Sequence, residues 1–200
     1  LEEIVLPATV QATLAARIDR LHKREKELIQ IASVIGYEVS EPLLRAIAGL
    51  PDSELNDALL SLVSDGLLSE HFGEAGVEYA FKHPLTQEVA LNSQLQERRR
   101  AIHAAVAHAI EATHKEKLDE HAALLAHHCA EAGQAMAAAE WHARAATFIA
   151  RNDFTEAGRH WQRARELVRL VADDDGAPVL GANACFRVLS LSFRIGARAD

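Results

Sequence analysis

His83 is the residue of this sequence whose type and position best suit it to ligand binding. It precedes Pro84, which favours the first turn of a helix because proline lacks the amide hydrogen that would be unpaired there. Before it, residues alternate between apolar and polar from Val77 to Phe81, which predicts a strand with one buried face. An imidazole at such a junction, together with the amides of Leu85 and Thr86, would favour an anion such as phosphate. The alternative, that His83 only caps or packs the junction, stays open.

A histidine and cysteine cluster is the second pattern with possible chemistry. His121, His128 and Cys129 fall near one face of a predicted helix, and imidazole and thiolate are ligands that zinc prefers. Only three ligands are present, and Leu125 lies among them. We therefore favour histidines packed between helices and predict no metal site.

No arrangement typical of a catalytic centre is present in the sequence. Neither of the glycine-rich phosphate-binding motifs, GxxxxGKS/T and GxGxxG, occurs, and no Ser/His/Asp, Cys/His or paired-carboxylate set rises above chance. We predict no catalytic residue and no cofactor held by these residues alone.

Composition narrows the class of protein. The chain has 200 residues and a formal net charge of −8, which argues against a protein whose main role is to bind a polyanion. Its two cysteines form no CxxC motif, which favours a reduced, cytoplasmic setting. No signal peptide is visible, and no apolar run approaches the roughly 20 residues that span a bilayer. Since Leu1 is not a natural start and Met136 is the only methionine, we expect a piece of a larger protein.

Four helices are predicted ahead of the strands, the first opened by Pro7. Gly36 should end the second in the left-handed conformation that glycine adopts cheaply, and Gly49 should end the third. Ser40 should cap the third helix, and Asp52 or Ser53 the fourth. The apolar stripes at helical spacing are Val10, Leu14, Ile18 and Leu21; Leu28, Ile31, Ala32 and Ile35; Leu43, Leu44 and Ile47; and Leu55, Leu59, Leu62 and Val63.

A β-hairpin should follow these helices. Two short strands, at 67–72 and 77–81, are separated by the turn residues 73–76. Helices followed by a hairpin outline a winged helix. After the helix that begins near His83, Ser93 with Gln96 has capping-box spacing and should start a longer helix.

A winged helix often reads DNA, so the charge of its recognition helix matters. Residues 50–66 contain four carboxylates and no lysine or arginine, whereas a helix in a major groove must face phosphates. We therefore predict a regulatory or protein-binding winged helix without direct nucleic-acid binding. A basic patch assembled from other elements is the alternative.

Alanine-rich helical hairpins are predicted in the second half of the chain. Asp153 and Glu156 have capping-box spacing at the start of one of their helices. The two clearest stripes are Ala138, Trp141, Ala145 and Phe148, and Ala157, Trp161, Ala164 and Val168. Two such helices within about 34 residues resemble a degenerate tetratricopeptide (TPR) repeat. The predicted fold is mostly α: a helical and winged-helix domain over 1–115, then TPR-like hairpins over 116–200.

Several stretches carry a family resemblance. The clearest are Phe81-Lys82-His83, Gln87 to Ala90 and Gln96 to Arg100, with Leu6 to Gln11 and Leu14 to Leu21 upstream. Together they resemble STAND-type signalling ATPases, especially bacterial adenylate/guanylate cyclases that carry an ATPase module and helical repeats.

The resemblance implies a role for His83. In STAND ATPases the winged helix folds over nucleotide bound to the upstream ATPase domain, and a histidine at the end of its hairpin contacts the β-phosphate of ADP. His83 matches that position, although Pro84 replaces the common alanine and Leu91 stands where tyrosine is usual.

The function that the resemblance implies is regulatory. The parent protein would bind ATP/ADP with Mg, the upstream ATPase domain would be a partner in the same chain, and an unknown protein or signal would bind the TPR-like repeats. The output would be a nucleotidyl cyclase. The alternatives are the same region of a large ATP-binding LuxR-type transcriptional regulator, and a TPR-type scaffold with no nucleotide role.

Overall fold

The computed structural model describes residues 8–73, 76–171 and 174–196, and the protein is mostly α-helical with one small antiparallel sheet. Residues 6–7 and 74–75, which carry parts of the predicted first helix and hairpin turn, lie outside the described residues. The chain divides into two compact units, residues 1–106 and 107–200. The predicted fold class, helices with a winged-helix hairpin followed by helical hairpins, is confirmed.

The first unit is a helical bundle with a three-stranded sheet. Helix α2 packs against α3, α4 and α5, while α1 packs on α5. The strand order is β1-β3-β2, with both pairs antiparallel, and this is the arrangement of a winged helix. The elements are α1 (Ala8–Asp19), α2 (Lys23–Ile35), β1 (Glu38–Ser40), α3 (Glu41–Ala48), α4 (Asp52–Ser64), β2 (Leu68–Gly73), β3 (Gly76–Phe81) and α5 (Pro84–Asn92), followed by α6 (Gln96–Thr113), within which the division falls.

Strand β1 was absent from the sequence-based expectation. It is only three residues long, and its last residue, Ser40, directly precedes α3 without capping it through its side chain. Gly36 does not end α2 in the left-handed region, because its φ of 163° is extended backbone that leads the chain into β1. Gly49 does adopt the left-handed conformation, with φ 62°, at the end of α3.

Two predicted helix caps are also wrong. The residue before α4 is Pro51, whereas Asp52 already belongs to the helix. Ser93 does not start α6; it follows α5, and its hydroxyl donates to the carbonyl of Ala90 at 2.7 Å. This serine stabilises the end of one helix because its neighbours offer it a buried acceptor.

The core of the first unit lies between the helices and one face of the sheet. Leu28, Ile29 and Ala32 of α2 are fully buried, and Phe81 at the end of β3 is 1% exposed. Burial of a leucine, isoleucine or phenylalanine side chain contributes about 1.5–3 kcal/mol. The strand that leads to His83 is therefore anchored by the core up to its last residue.

The second unit consists of helical hairpins. Its helices are α7 (Ala122–Glu131), α8 (Ala135–Ile149), α9 (Phe154–Val168) and α10 (Ala177–Gly196), with a short 3-10 helix at Arg169–Val171. The predicted cap of α9 is confirmed, because the Asp153 carboxylate accepts from the amides of Thr155 and Glu156 at 2.8 and 3.0 Å. Trp161 packs among alanines with 4% exposure. In the part of the chain that the structure describes, no helix is both long and apolar enough to cross a membrane.

Candidate functional site

His83 lies at the junction between β3 and α5, as the sequence predicts. Its backbone is extended, with φ −141° and ψ 135°, and α5 begins with Pro84. The side chain is exposed and makes no capping hydrogen bond to the helix. The imidazole is thus held at a helix N-terminus without contributing a cap to the fold.

The backbone that leads to His83 is hydrogen-bonded on both sides. The Phe81 amide donates to the carbonyl of Tyr37 at 3.0 Å, and the Lys82 amide donates to the carbonyl of Leu67 at 3.1 Å. These bonds extend the sheet pairing beyond the ends of the strands. The position of the His83 Cα is therefore set by the sheet.

The helix start offers fewer free amides than we expected. The Thr86 amide donates to the His83 carbonyl at 2.9 Å, and its side chain is buried, so this amide does not face a ligand. The prediction that both amides would be available is wrong for Thr86, because the first turn of α5 closes tightly on His83. Leu85 is the amide that remains, next to the positive end of the helix dipole.

A buried amide network holds α5 against α2. The Gln94 side-chain nitrogen donates to the carbonyl of Gln30 at 3.0 Å and lies 3.3 Å from the Ser33 hydroxyl. In return, the Gln30 side chain donates to the Ser93 hydroxyl at 2.9 Å. Gln87 adds a bond from α5 to the Ser33 carbonyl at 3.2 Å. These contacts hold the C-terminal end of α5 against α2, and the Gln87 bond adds a contact near the start of α5.

This network escaped the sequence analysis. Gln94 is 8% exposed and Gln30 is 5% exposed, yet they lie 64 residues apart. The available signal was a glutamine on α2 between apolar residues, which predicts a buried amide in need of a partner. The side-chain oxygen of Gln94 has no hydrogen-bond partner, because its nitrogen faces the available acceptors.

The histidine and cysteine cluster does not form a ligand set. Among the described residues, the groups whose ligand atoms converge do not include His121, His128 and Cys129 together. His121 instead stacks on His114, with ring centroids 4.1 Å apart, while His128 and Cys129 are buried. Burial raises the pKa of the Cys129 thiol, which disfavours the thiolate that a metal would need.

A different histidine pair joins α8 to α9. The Nδ1 atoms of His142 and His160 lie 2.9 Å apart, so one ring donates and the other accepts. Burial, then the neighbouring His160, Arg163 and His127, lower the pKa of His142 to about 4. Burial also lowers the pKa of His160, opposed by Glu156. Both rings are neutral at pH 7 and form one shared hydrogen bond.

The second unit also contains an open groove of about 360 Å³. Its floor is aromatic and apolar, and two arginines lie among the lining residues. The lining residues are Thr147, Ala150, Arg151, Phe154, Trp161, Phe186, Arg187, Ser190 and Leu191, from α8, α9 and α10. We name this surface the α8–α10 groove. Sequence analysis missed it because its walls come from three separate helices.

The two groove arginines differ from the nearby Arg144 in their ion pairs. Within the described residues, Arg151 and Arg187 have no carboxylate at ion-pair distance, whereas Arg144 pairs with Asp119. Arg151 lies over the ring of Phe148 at 5.6 Å from its centroid. In a chain of net charge −8, two unpaired cations beside an apolar surface favour an acidic ligand.

Comparison with known proteins gives a similarity over about half of the chain. The chain is 34% identical over 109 residues to a protein of Rhizobium meliloti (strain 1021) described as uncharacterized protein R02095. The match covers 52% of this chain and 10% of that protein, so the relative is roughly ten times as long as the matched stretch. No family model matches the chain.

Proposed function

We propose that the chain is the winged-helix and helical-repeat region of a cytoplasmic, multidomain signalling ATPase and regulates a nucleotidyl cyclase output. The observation that carries the proposal is His83, an exposed imidazole at a helix N-terminus that the fold itself does not use. An imidazole N–H and a helix N-terminus together favour phosphate. The nucleotide, ADP or ATP with Mg, would be bound by an ATPase domain upstream in the same chain.

The surface of α4 supports a protein contact over DNA binding. Glu54 pairs with Arg24 at 3.0 Å, and Asp57 is exposed, so the helix presents carboxylates where a DNA reader presents cations. Leu60 on the same helix is 63% exposed, and Phe72 on β2 is 84% exposed. Exposed apolar side chains beside acidic ones suit docking onto another protein domain.

Two further observations support a larger signalling protein. The similar Rhizobium protein is many times longer than the matched stretch, as a multidomain parent would be. The α8–α10 groove supplies a surface on which a partner segment with acidic residues can bind. In this proposal the winged helix responds to nucleotide and the repeats receive the partner.

The test uses the intact parent protein. We expect His83→Ala to weaken ADP binding about tenfold or more, because it removes a charge-assisted hydrogen bond to phosphate worth about 1.5–3 kcal/mol. Basal output should rise, because ADP holds the resting state. Binding of a fluorescent ADP analogue measures the first effect, and cyclase turnover measures the second.

His108→Ala is the matched control, since His108 is another exposed histidine on a helix. It should leave ADP affinity unchanged. Equal ADP affinity in the wild type and His83→Ala would contradict the nucleotide role and leave an interaction scaffold. Salt-sensitive DNA binding by the 200-residue chain would contradict the argument from its acidic recognition helix, whereas DNA binding by only the C-terminal region of the parent would favour a transcriptional regulator of the LuxR type.

A further inference from the structure

Three potential metal ligands converge on one face of the winged-helix sheet. Glu38 comes from β1, His71 from β2 and Glu78 from β3, and their ligand atoms all lie within 4.8 Å of one another. The His71 Nε2 lies 3.3 Å from the Glu78 carboxylate. None of the predicted site residues is part of this group.

The strand register explains why the three side chains meet. His71 is directly opposite Glu78, and Glu38 is directly opposite Ala80, so all four side chains lie on the same face. Ala80 is small and 8% exposed. Its short side chain leaves room above the sheet for the two carboxylates to approach the imidazole.

This group carries more carboxylates than positively charged partners. Within the described residues, no lysine or arginine pairs with Glu38 or Glu78, and the ion-pair partner of Glu78 is His71. Two carboxylates this close repel each other, and one imidazole supplies at most a single positive charge. A divalent ion would neutralise both.

Gly73 supports the position of the Glu78 carboxylate. A Cβ atom at residue 73 would collide with that carboxylate, so glycine provides the space in which it lies. Gly73 pairs with Gly76 at the end of the hairpin, where its φ does not demand glycine. A side chain at residue 73 would therefore require the Glu78 carboxylate to move away from its present position.

We propose that Glu38, His71 and Glu78 form a binding site for a divalent cation of the zinc class. One imidazole nitrogen with two carboxylate oxygens is a donor set that suits Zn²⁺ or Co²⁺, whereas Ca²⁺ and Mg²⁺ favour oxygen alone. Three protein ligands leave a position for water or an external ligand. The ion would link β1, β2 and β3, and so pin the shortest strand to the hairpin. This inference does not depend on the proposed nucleotide role.

The test titrates the 200-residue chain, freed of metal with a chelator, with ZnCl₂ by calorimetry and with CoCl₂ by visible absorption. We expect the wild type to bind one equivalent that His71→Ala loses, or holds at least about tenfold more weakly. Glu38→Gln, at an exposed position, should have the same effect without loss of the fold, as checked by circular dichroism. Gly73→Ala should weaken binding by displacing the Glu78 carboxylate.

Glu70→Gln is the matched control, because Glu70 neighbours His71 on β2 but points to the opposite face. It should bind both metals as the wild type does. The proposal is overturned if the wild type binds neither metal, or if wild type, His71→Ala and Glu38→Gln bind the same number of equivalents with equal affinity. Equal binding by the wild type and both variants would indicate that other histidines bind the metal.

Discussion

The two units use polar groups in opposite ways. In the first unit, buried side-chain amides of Gln30 and Gln94 join α2 to the end of α5, and the exposed His83 is left free of the fold. In the second unit, four buried alanines pack with Trp161 and Leu191, and the groove arginines are exposed and have no carboxylate at ion-pair distance within the described residues. The first unit therefore joins its helices partly through buried polar contacts, whereas the second leaves cations exposed beside an apolar surface.

Hydrogen bonds and apolar contacts differ in how strongly they depend on geometry. A hydrogen bond loses strength when its geometry changes, so a buried amide network specifies one arrangement of helices. Contacts among small apolar side chains are less directional and tolerate adjustment. The buried amide network would suit the proposed presentation of His83, and the less directional packing would suit the proposed binding of a peptide.

The largest change in stability should come from Gln94→Ala, which removes a polar group on which the first unit depends. We expect it to lower the free energy of unfolding of the first unit by about 1–3 kcal/mol, because Gln94 is buried and its bonds to Gln30 and Ser33 are lost. Hydrogen exchange, followed separately in the two units, measures the loss. Gln162→Ala, at an exposed position of α9, should change stability by less than about 0.5 kcal/mol. Equal effects of the two variants would remove the network as the distinguishing feature of the first unit.

The second-largest effect should be a loss of stability of the second unit at acidic pH. The folded pKa of His142 is about 4, below the ordinary value of 6.5, so the unfolded chain takes up its proton first. This contribution to stability is complete above pH 6.5 and is lost as the pH falls toward 4. We expect a loss of about 1–2 kcal/mol, less than the full shift implies because His142 is only half-buried.

Urea unfolding of the second unit at several pH values between 7 and 4 checks this expectation. His142→Gln should flatten the pH dependence, whereas His108→Gln, at an exposed position, should not. The interpretation fails if His142→Gln keeps the wild-type slope.

The smallest effect on stability should come from the groove arginines. Arg151→Ala with Arg187→Ala should change the free energy of unfolding by less than about 0.5 kcal/mol, because both side chains are exposed. The same pair should weaken binding of a synthetic peptide rich in glutamate and aromatic residues about tenfold, as measured by fluorescence anisotropy. Arg159→Ala with Arg163→Ala, two arginines already paired with glutamates, is the control. Equal losses from both pairs would show a general charge effect instead of a groove.

Local signals in the sequence determined much of this protein. Pro84 and the alternation before it located the start of α5, Asp153 located the start of α9, and Gly49 located the end of α3. Each of these signals depends on the backbone preference of one residue or on a cap that involves residues at most three positions apart. Such signals are complete in a short stretch of sequence, and the structure agrees with these three, although it does not bear out the left-handed Gly36 or the predicted caps of α4 and α6.

Contacts between residues that are far apart in the sequence were decided by the tertiary structure. Gln30 meets Gln94 across 64 residues, and the Glu38, His71 and Glu78 group exists only because β1 joins the hairpin in one register. Strand β1 itself is too short to show a period, and the register of a sheet changes every facing pair when it slips by one residue. The sequence thus determined the helices, the hairpin and the place of His83, and only packing decided that β1 joins the sheet and which polar side chains face one another.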